Sequence, residues 1–132
     1  MTVLIDTSAW IEFLRRSGSA TARAVASAVT AGSAATTDVI VMEVLGGTTD
    51  PDRLSSWERA LDGVEYLPQV QRDDAEAAAS LYRACRSAGE SPRQLTDCLV
   101  AAVAIRSGVP ILHRDRDFEV IARHTALETV TP

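Results

Sequence analysis

Three apolar residues, Val3, Leu4 and Ile5, run directly into Asp6 and then into the hydroxyls of Thr7 and Ser8. Two of the three are β-branched, and the run is bounded by polar residues, so it predicts a short buried strand. Asp6 falls where that strand ends. In open parallel sheets, ligands bind beyond the carboxyl ends of the strands. An ionised carboxylate against such an apolar edge is costly unless it is paired or bound to a metal. The rest of the chain is therefore read for strands that could lie beside this one and for groups that could share the surroundings of Asp6.

After the strand, apolar spacing predicts a helix from Ser8 to Leu14, with Thr7 or Ser8 as its cap. An Ala-rich helix over 20–29 and a short strand within 33–37 follow. Asp38 is placed to cap a helix over 39–45, although its β-branched residues leave a strand open there. Pro51 introduces a helix over 52–61, and 64–67 reads as strand. A long amphipathic helix spans 72–88, with Asp73, Asp74 and Glu76 in a first turn where the helix dipole favours acids. Thr96 is a candidate cap for a helix from Asp97 to Ile105, apolar nearly all round and so expected to be central. Strand 109–112, helix 118–122 and a terminal strand within 126–130 complete the pattern.

Strands alternate with helices, which predicts an α/β fold whose central parallel β-sheet, of about four to five strands, is flanked by helices on both faces. The 132 residues suit a single domain over 1–132. Aromatics make up only 5% of the chain, so the core must be built from Ala, Val, Leu and Ile. No apolar stretch approaches a membrane span, and the start of the chain lacks the basic and apolar regions of a signal peptide. A cytoplasmic protein with no membrane partner is the expectation. Cys85 and Cys98 sit in apolar helical contexts without a zinc-ligand spacing and read as small core hydrophobes. Trp10, Phe13 and Leu14 share one helical face, read first as core; exposed, they would instead offer a partner groove.

A net charge of −5 argues weakly against nucleic-acid binding. Acids gathered around a metal, however, are counted in that sum but neutralised in the working protein. All 13 basic residues are Arg, the better side chain for bidentate phosphate contacts.

Five acids stand against apolar surroundings: Asp6, Glu43, Asp97, Asp115 and Asp117. Singly each has a plain structural explanation, such as a helix cap for Asp6, a first-turn acid for Asp97 or a turn residue for Asp115. If the first and fourth strands are neighbours, Asp6 and Asp115/Asp117 converge at one sheet edge, where a helix N-terminus carrying Asp97 could also open; Glu43 is the weakest by position, since a helix residue among apolar neighbours can still point to solvent. Crowded carboxylates repel, so either they stay partly protonated or a cation sits among them. Hard cations such as Mg²⁺ and Mn²⁺ prefer an all-oxygen shell of this kind. Such a site suits phosphodiester hydrolysis, with Thr7 or Ser8 orienting a metal-bound water or a phosphate oxygen.

Leu4-Ile5-Asp6-Thr7-Ser8-Ala9-Trp10, Glu43 within Val41-Met42-Glu43-Val44-Leu45, Leu95-Thr96-Asp97-Cys98-Leu99-Val100-Ala101-Ala102 and His113-Arg114-Asp115-Arg116-Asp117-Phe118 together resemble the PIN-domain pattern, in particular the VapC-type toxins of prokaryotic toxin–antitoxin pairs. The resemblance runs the full length in order and spacing. It implies a PIN-like fold and a Mg²⁺- or Mn²⁺-dependent endoribonuclease acting on structured RNA, commonly tRNA or ribosomal RNA. Asp6, Glu43, Asp97 and Asp115 would form the catalytic set, and Asp6, Asp97, Asp115 and Asp117 the metal-binding set. It further implies a homodimer, inhibited by a cognate VapB-type antitoxin that lays a C-terminal segment into the active-site groove. Arg114 and Arg116 depart from the smaller residues common in the last motif and are candidate RNA contacts, against the plainer reading of surface salt bridges.

Two other classes fit the sequence less well. A non-catalytic RNA-binding module with a relic acidic pocket would show a missing acid, and none is missing. A phosphotransfer domain of the haloacid dehalogenase or receiver type would need a second Asp at position 8 or a Lys opposite the pocket; position 8 is Ser and the chain has no Lys.

Overall fold

The computed structural model describes all 132 residues. Strand β1 (Val3–Ile5) leads into helix α1 (Thr7–Leu14), then α2 (Ala20–Thr30), β2 (Ala34–Thr36), α3 (Asp38–Leu45), α4 (Pro51–Asp62), β3 (Glu65–Tyr66), α5 (Gln71–Ser87), α6 (Leu95–Ser107), β4 (Ile111–Leu112), α7 (Arg116–His124) and β5 (Thr129–Val130). The five strands form one sheet in the order β3-β2-β1-β4-β5, and every pairing is parallel.

That order places the site. The chain moves outward from β1 through β2 to β3, then returns to lay β4 on the other side of β1. Parallel crossovers are right-handed, so the reversal of direction sends α1–α4 to one face and α5–α7 to the other. Within each set α1 touches α2 and α3, α3 touches α4, and α5, α6 and α7 touch one another, while α3 also meets α6 between the sets. The gap between β1 and β4 is the topological switch point, and ligands of open α/β sheets bind there, beyond the carboxyl ends. Asp6 follows β1 and Asp115 follows β4, on either side of that gap.

The core runs through the sheet and into α6, where Cys98 and the stretch from Val100 to Ala104 are buried. The two valines of that stretch each contribute roughly 1.5 kcal/mol or more by burial. Gly108 ends α6 in the left-handed conformation, at φ 68°, where a side chain would be strained. Both cysteines are buried and free. Trp10 is wholly buried and meets Phe13 edge-on at 6.1 Å, while Phe13 and Leu14 pack partly buried against the core.

Local corrections concern caps. Asp6, rather than Thr7 or Ser8, caps α1, its carboxylate accepting from the Ser8 N–H. Thr37 caps α3 without a side-chain bond, and Asp38 is the first helical residue, its carboxylate accepting instead from the Gln69 N–H and the Tyr66 hydroxyl. Gln94 precedes α6, so Thr96 lies one turn-position inside the helix. Residues 38–45 are helical despite their β-branched content, because Val39, Ile40 and Val44 reach the core from one helix face.

Candidate functional site

Four segments deliver polar side chains to one cavity of about 300 Å³, lined by Asp6, Thr7, Ser8, Glu43, Arg93, Gln94, Asp97, Asp115 and Asp117. No hydrophobic residue lines it. All five acids singled out from the sequence therefore meet, together with the two hydroxyls. Each arrives for a local reason. Asp6 and Asp115 are both helix caps, accepting from Ser8 N and Asp117 N at 3.0 Å. For Asp6 the cap explanation and the shared site thus hold at once, and Asp115, read from the sequence as a turn residue, is a cap as well. Glu43 lies in the last turn of α3, and Asp97 in the first turn of α6.

The hydroxyls hold the acids. Thr7 Oγ1 donates to Glu43 Oε1 at 2.8 Å, and Ser8 Oγ donates to Asp6 Oδ2 at 2.6 Å. Ser8 Oγ also accepts from the Arg114 N–H at 2.9 Å, tying β1's acid to the loop after β4. His113 supports the same loop from beneath: its Nδ1 accepts from Asp115 N at 3.0 Å, and its Nε2, which must then carry the proton, donates to Glu119 Oε1 at 2.8 Å.

Burial raises the Asp6 carboxyl above its ordinary value, partly offset by its bonds from Ser8. Burial likewise raises Glu43, with Thr7 opposing. Asp97 is pushed up to about 7, first by burial and then by the charges of Asp6, Asp115, Asp117 and Glu43. No hydrogen bond lowers it. The oxygens of Asp97, Asp115 and Asp117 lie within 4.8 Å of one another. Five carboxylates and one guanidinium line a cavity without apolar residues, and the carboxylates are an all-oxygen set of the kind that could hold a metal ion.

That guanidinium was not singled out from the sequence. Arg93 Nε donates to Asp117 Oδ2 at 2.9 Å, and a terminal nitrogen donates to Asp115 Oδ1 at 3.0 Å. The only signal available was a basic residue four positions before Asp97, between the long helix over 72–88 and the cap candidate Thr96. Of the two arginines that were singled out, Arg114 pairs with Glu12, whereas Arg116 is exposed and has no partner in the chain.

Residues 3–124 match the PIN domain family, and the chain belongs to it. The kinship can be drawn more finely. VapC ribonuclease Mb1587 of Mycobacterium bovis is 46% identical over 134 aligned residues, covering 98% of each chain. Ribonuclease VapC11 of Mycobacterium tuberculosis matches to the same extent. Among solved structures, a chain of VapBC2 from Rickettsia felis, crystallised with a DNA fragment from their promoter, superposes with a TM-score of 0.79 over 98% of each chain at 13% identity. That likeness is one of fold. No helix is long and apolar enough to cross a membrane.

Proposed function

We propose that this VapC-type chain is a divalent-metal-dependent endoribonuclease that hydrolyses phosphodiester bonds in structured RNA, tRNA or ribosomal RNA, as the toxin of a toxin–antitoxin pair. The observation that carries the metal-dependent reading is the pocket at the switch point, where five carboxylates line one cavity and the single guanidinium there pairs with only two of them. Asp97, Asp115 and Asp117, with Asp6 beside them, would hold Mg²⁺, or Mn²⁺ in its place. When bound, the cation supplies a water of lowered pKa and offsets charge on the phosphate.

The chain's own residues do the rest. Ser8 and Thr7 spend their protons on Asp6 and Glu43, so both hydroxyls act by fixing those carboxylates in place. Glu43 stands clear of the Asp97–Asp115–Asp117 cluster while lining the same cavity, which suits a base that takes a proton from the attacking water. Arg116, exposed and unpaired, is better placed than Arg114 to meet RNA phosphate, since Arg114 would have to leave Glu12. A VapB-type antitoxin is the partner that accords with the kinship, its segment covering the acidic groove. The exposed apolar patch of Ala75, Ala79, Leu95 and Leu99 is a surface that a homodimer would cover.

The test is cleavage of total cellular RNA by purified protein with Mg²⁺, with Mn²⁺ and with chelator, alongside Asp6→Asn. Discrete fragments that require both metal and Asp6 are expected. RNA binding without cleavage under any metal would replace the nuclease with a binding module.

A further inference from the structure

The nuclease reading leaves Arg93 without a task. Its guanidinium occupies Asp115 and Asp117, and its backbone N–H also donates to Asp117 Oδ2 at 3.2 Å. Those two carboxylates supply two of the three oxygens in the group that could hold a metal. Guanidinium and metal ion therefore draw on the same two carboxylates, and a divalent cation entering there competes with the side chain for their charge.

Displacement is cheap for this arginine. Its side chain is 66% exposed, and its guanidinium has no acceptor other than the two pocket acids. Arg106, the chain's other arginine on a buried acid, is 39% exposed and adds a bond to the Pro68 carbonyl. The Arg93 backbone, bonded to Asp117 at the pocket rim, keeps the side chain rooted there when the head group swings. A freed guanidinium at the rim of a metal-bound acidic pocket presents a planar fork that matches a phosphate bidentately.

We propose that Arg93 is a phosphate-binding residue of the reaction: it serves as resident counter-ion to Asp115 and Asp117 in metal-free protein, and it turns to the substrate phosphate when a divalent cation takes those carboxylates. The proposal rests on the metal-dependent nuclease reading. Its rival is that Arg93 only pins the start of α6 to the start of α7.

Arg93→Gln and Arg93→Lys in the full chain separate the two. Free Mn²⁺ followed by electron paramagnetic resonance measures metal affinity without any turnover. Removing a competing charge from the ligands should tighten Mn²⁺ binding about tenfold in Arg93→Gln, with Arg93→Lys close to wild type. Cleavage is then followed at saturating Mn²⁺ on a labelled RNA fragment carrying a cut site mapped from the total-RNA digest. Arg93→Gln should raise KM, and its plot of log(kcat/KM) against log[salt] should be shallower by about 0.7, the loss of one phosphate contact on a single strand. Arg93→Lys should keep the wild-type slope. Unchanged Mn²⁺ affinity together with an unchanged salt slope would overturn the proposal, and a drop in melting temperature alone would assign Arg93 to the pinning role. A wild-type protein that cleaves nothing would remove the nuclease reading and the phosphate role with it, while the Mn²⁺ comparison would still report whether Arg93 competes for the carboxylates.

Discussion

Helix α6 has a charge problem at each end and solves only one of them. Near its C-terminus, Arg106 reaches the buried Asp74 of α5 with two hydrogen bonds of 2.9 Å, and Asp74 also accepts from Val70 N. The guanidinium holds Asp74 below the usual carboxylate range. Near its N-terminus, Asp97 faces four other acids, and no hydrogen bond or cation offsets its rise to about 7. A carboxylate that the fold uses for itself comes with its partner inside the chain. One left without a partner at the switch point is what the proposed metal site would leave for a cation to offset.

The largest effects should come from exchanging the two ends. Asp97→Asn is expected to lower RNA cleavage by more than about a hundredfold, since even supporting groups around metal ligands cost 10–100-fold. The same change should leave the metal-free protein at least as stable as wild type, because it removes one of several repelling charges. Asp74→Asn should do the opposite. It strands Arg106 and should cost about 2–3 kcal/mol of stability, with cleavage per folded molecule unchanged. Thermal melts in chelator, paired with cleavage of total RNA, check both halves. If Asp97→Asn proved the more destabilising of the two, the contrast between the ends would be lost.

The two ends also oppose each other in pH. In metal-free protein the raised Asp97 keeps its proton to about pH 7, whereas in the unfolded chain the group ionises near its ordinary value of about 4. Between those values the folded state binds more protons, so stability falls as pH rises through that window and is level above it. Asp6 and Glu43, also raised, act in the same direction. Asp74, lowered by Arg106, contributes stability above its unfolded value and loses it as pH falls through its lower folded value. Melting temperature against pH in chelator should therefore decline from weakly acid toward neutral pH. Asp97→Asn should flatten that decline, and Asp74→Asn should soften the loss in strong acid. Added Mg²⁺ or Mn²⁺ should restore stability at neutral pH, since a ligand of the folded state alone stabilises it.

Much of the acidic end was legible in the sequence because its acids stand at the boundaries of apolar elements. Asp6 closes Val3–Ile5, Asp97 stands in the first turn of the buried helix α6, and Asp115 and Asp117 follow Ile111–Leu112. Burial of those elements forces their terminal residues to one sheet edge, so pattern and topology together locate the acids. Glu43 was harder, because a helix residue among apolar neighbours can face either way, and its direction is set by a bond to Thr7 across 36 residues. Arg93 was not legible. It belongs to no periodic run, and its meaning depends on two acids more than twenty residues away. Asp74 shows the same limit from the other side. The dipole reading of its first-turn position was compatible with the structure but missed the pairing to Arg106, 32 residues on, which governs its burial. Local pattern finds where charges must sit, whereas partners set by tertiary packing lie beyond it.

The smallest expected effect concerns the hydroxyls, which at the acidic end stand where a cation stands for Asp74. Thr7 shares its proton only with Glu43, and the pair is partly exposed, so deleting the bond should cost no more than about 1 kcal/mol of stability. Thr7→Val keeps the shape of the side chain and removes the donor. Glu43 would then lose the contact that fixes its carboxylate over the cavity, and cleavage should fall about tenfold, as for other supporting partners of such sites. Thr7→Ser keeps the donor and should recover most of the rate. A Thr7→Val protein that cleaves like wild type would mean that Glu43 needs no fixing, and the hydroxyl would then be an ordinary first-turn residue of α1. A rate lost in Thr7→Val and recovered in Thr7→Ser, at equal melting temperatures, would show that this end of the fold spends its polar groups on orientation where the other spends them on stability.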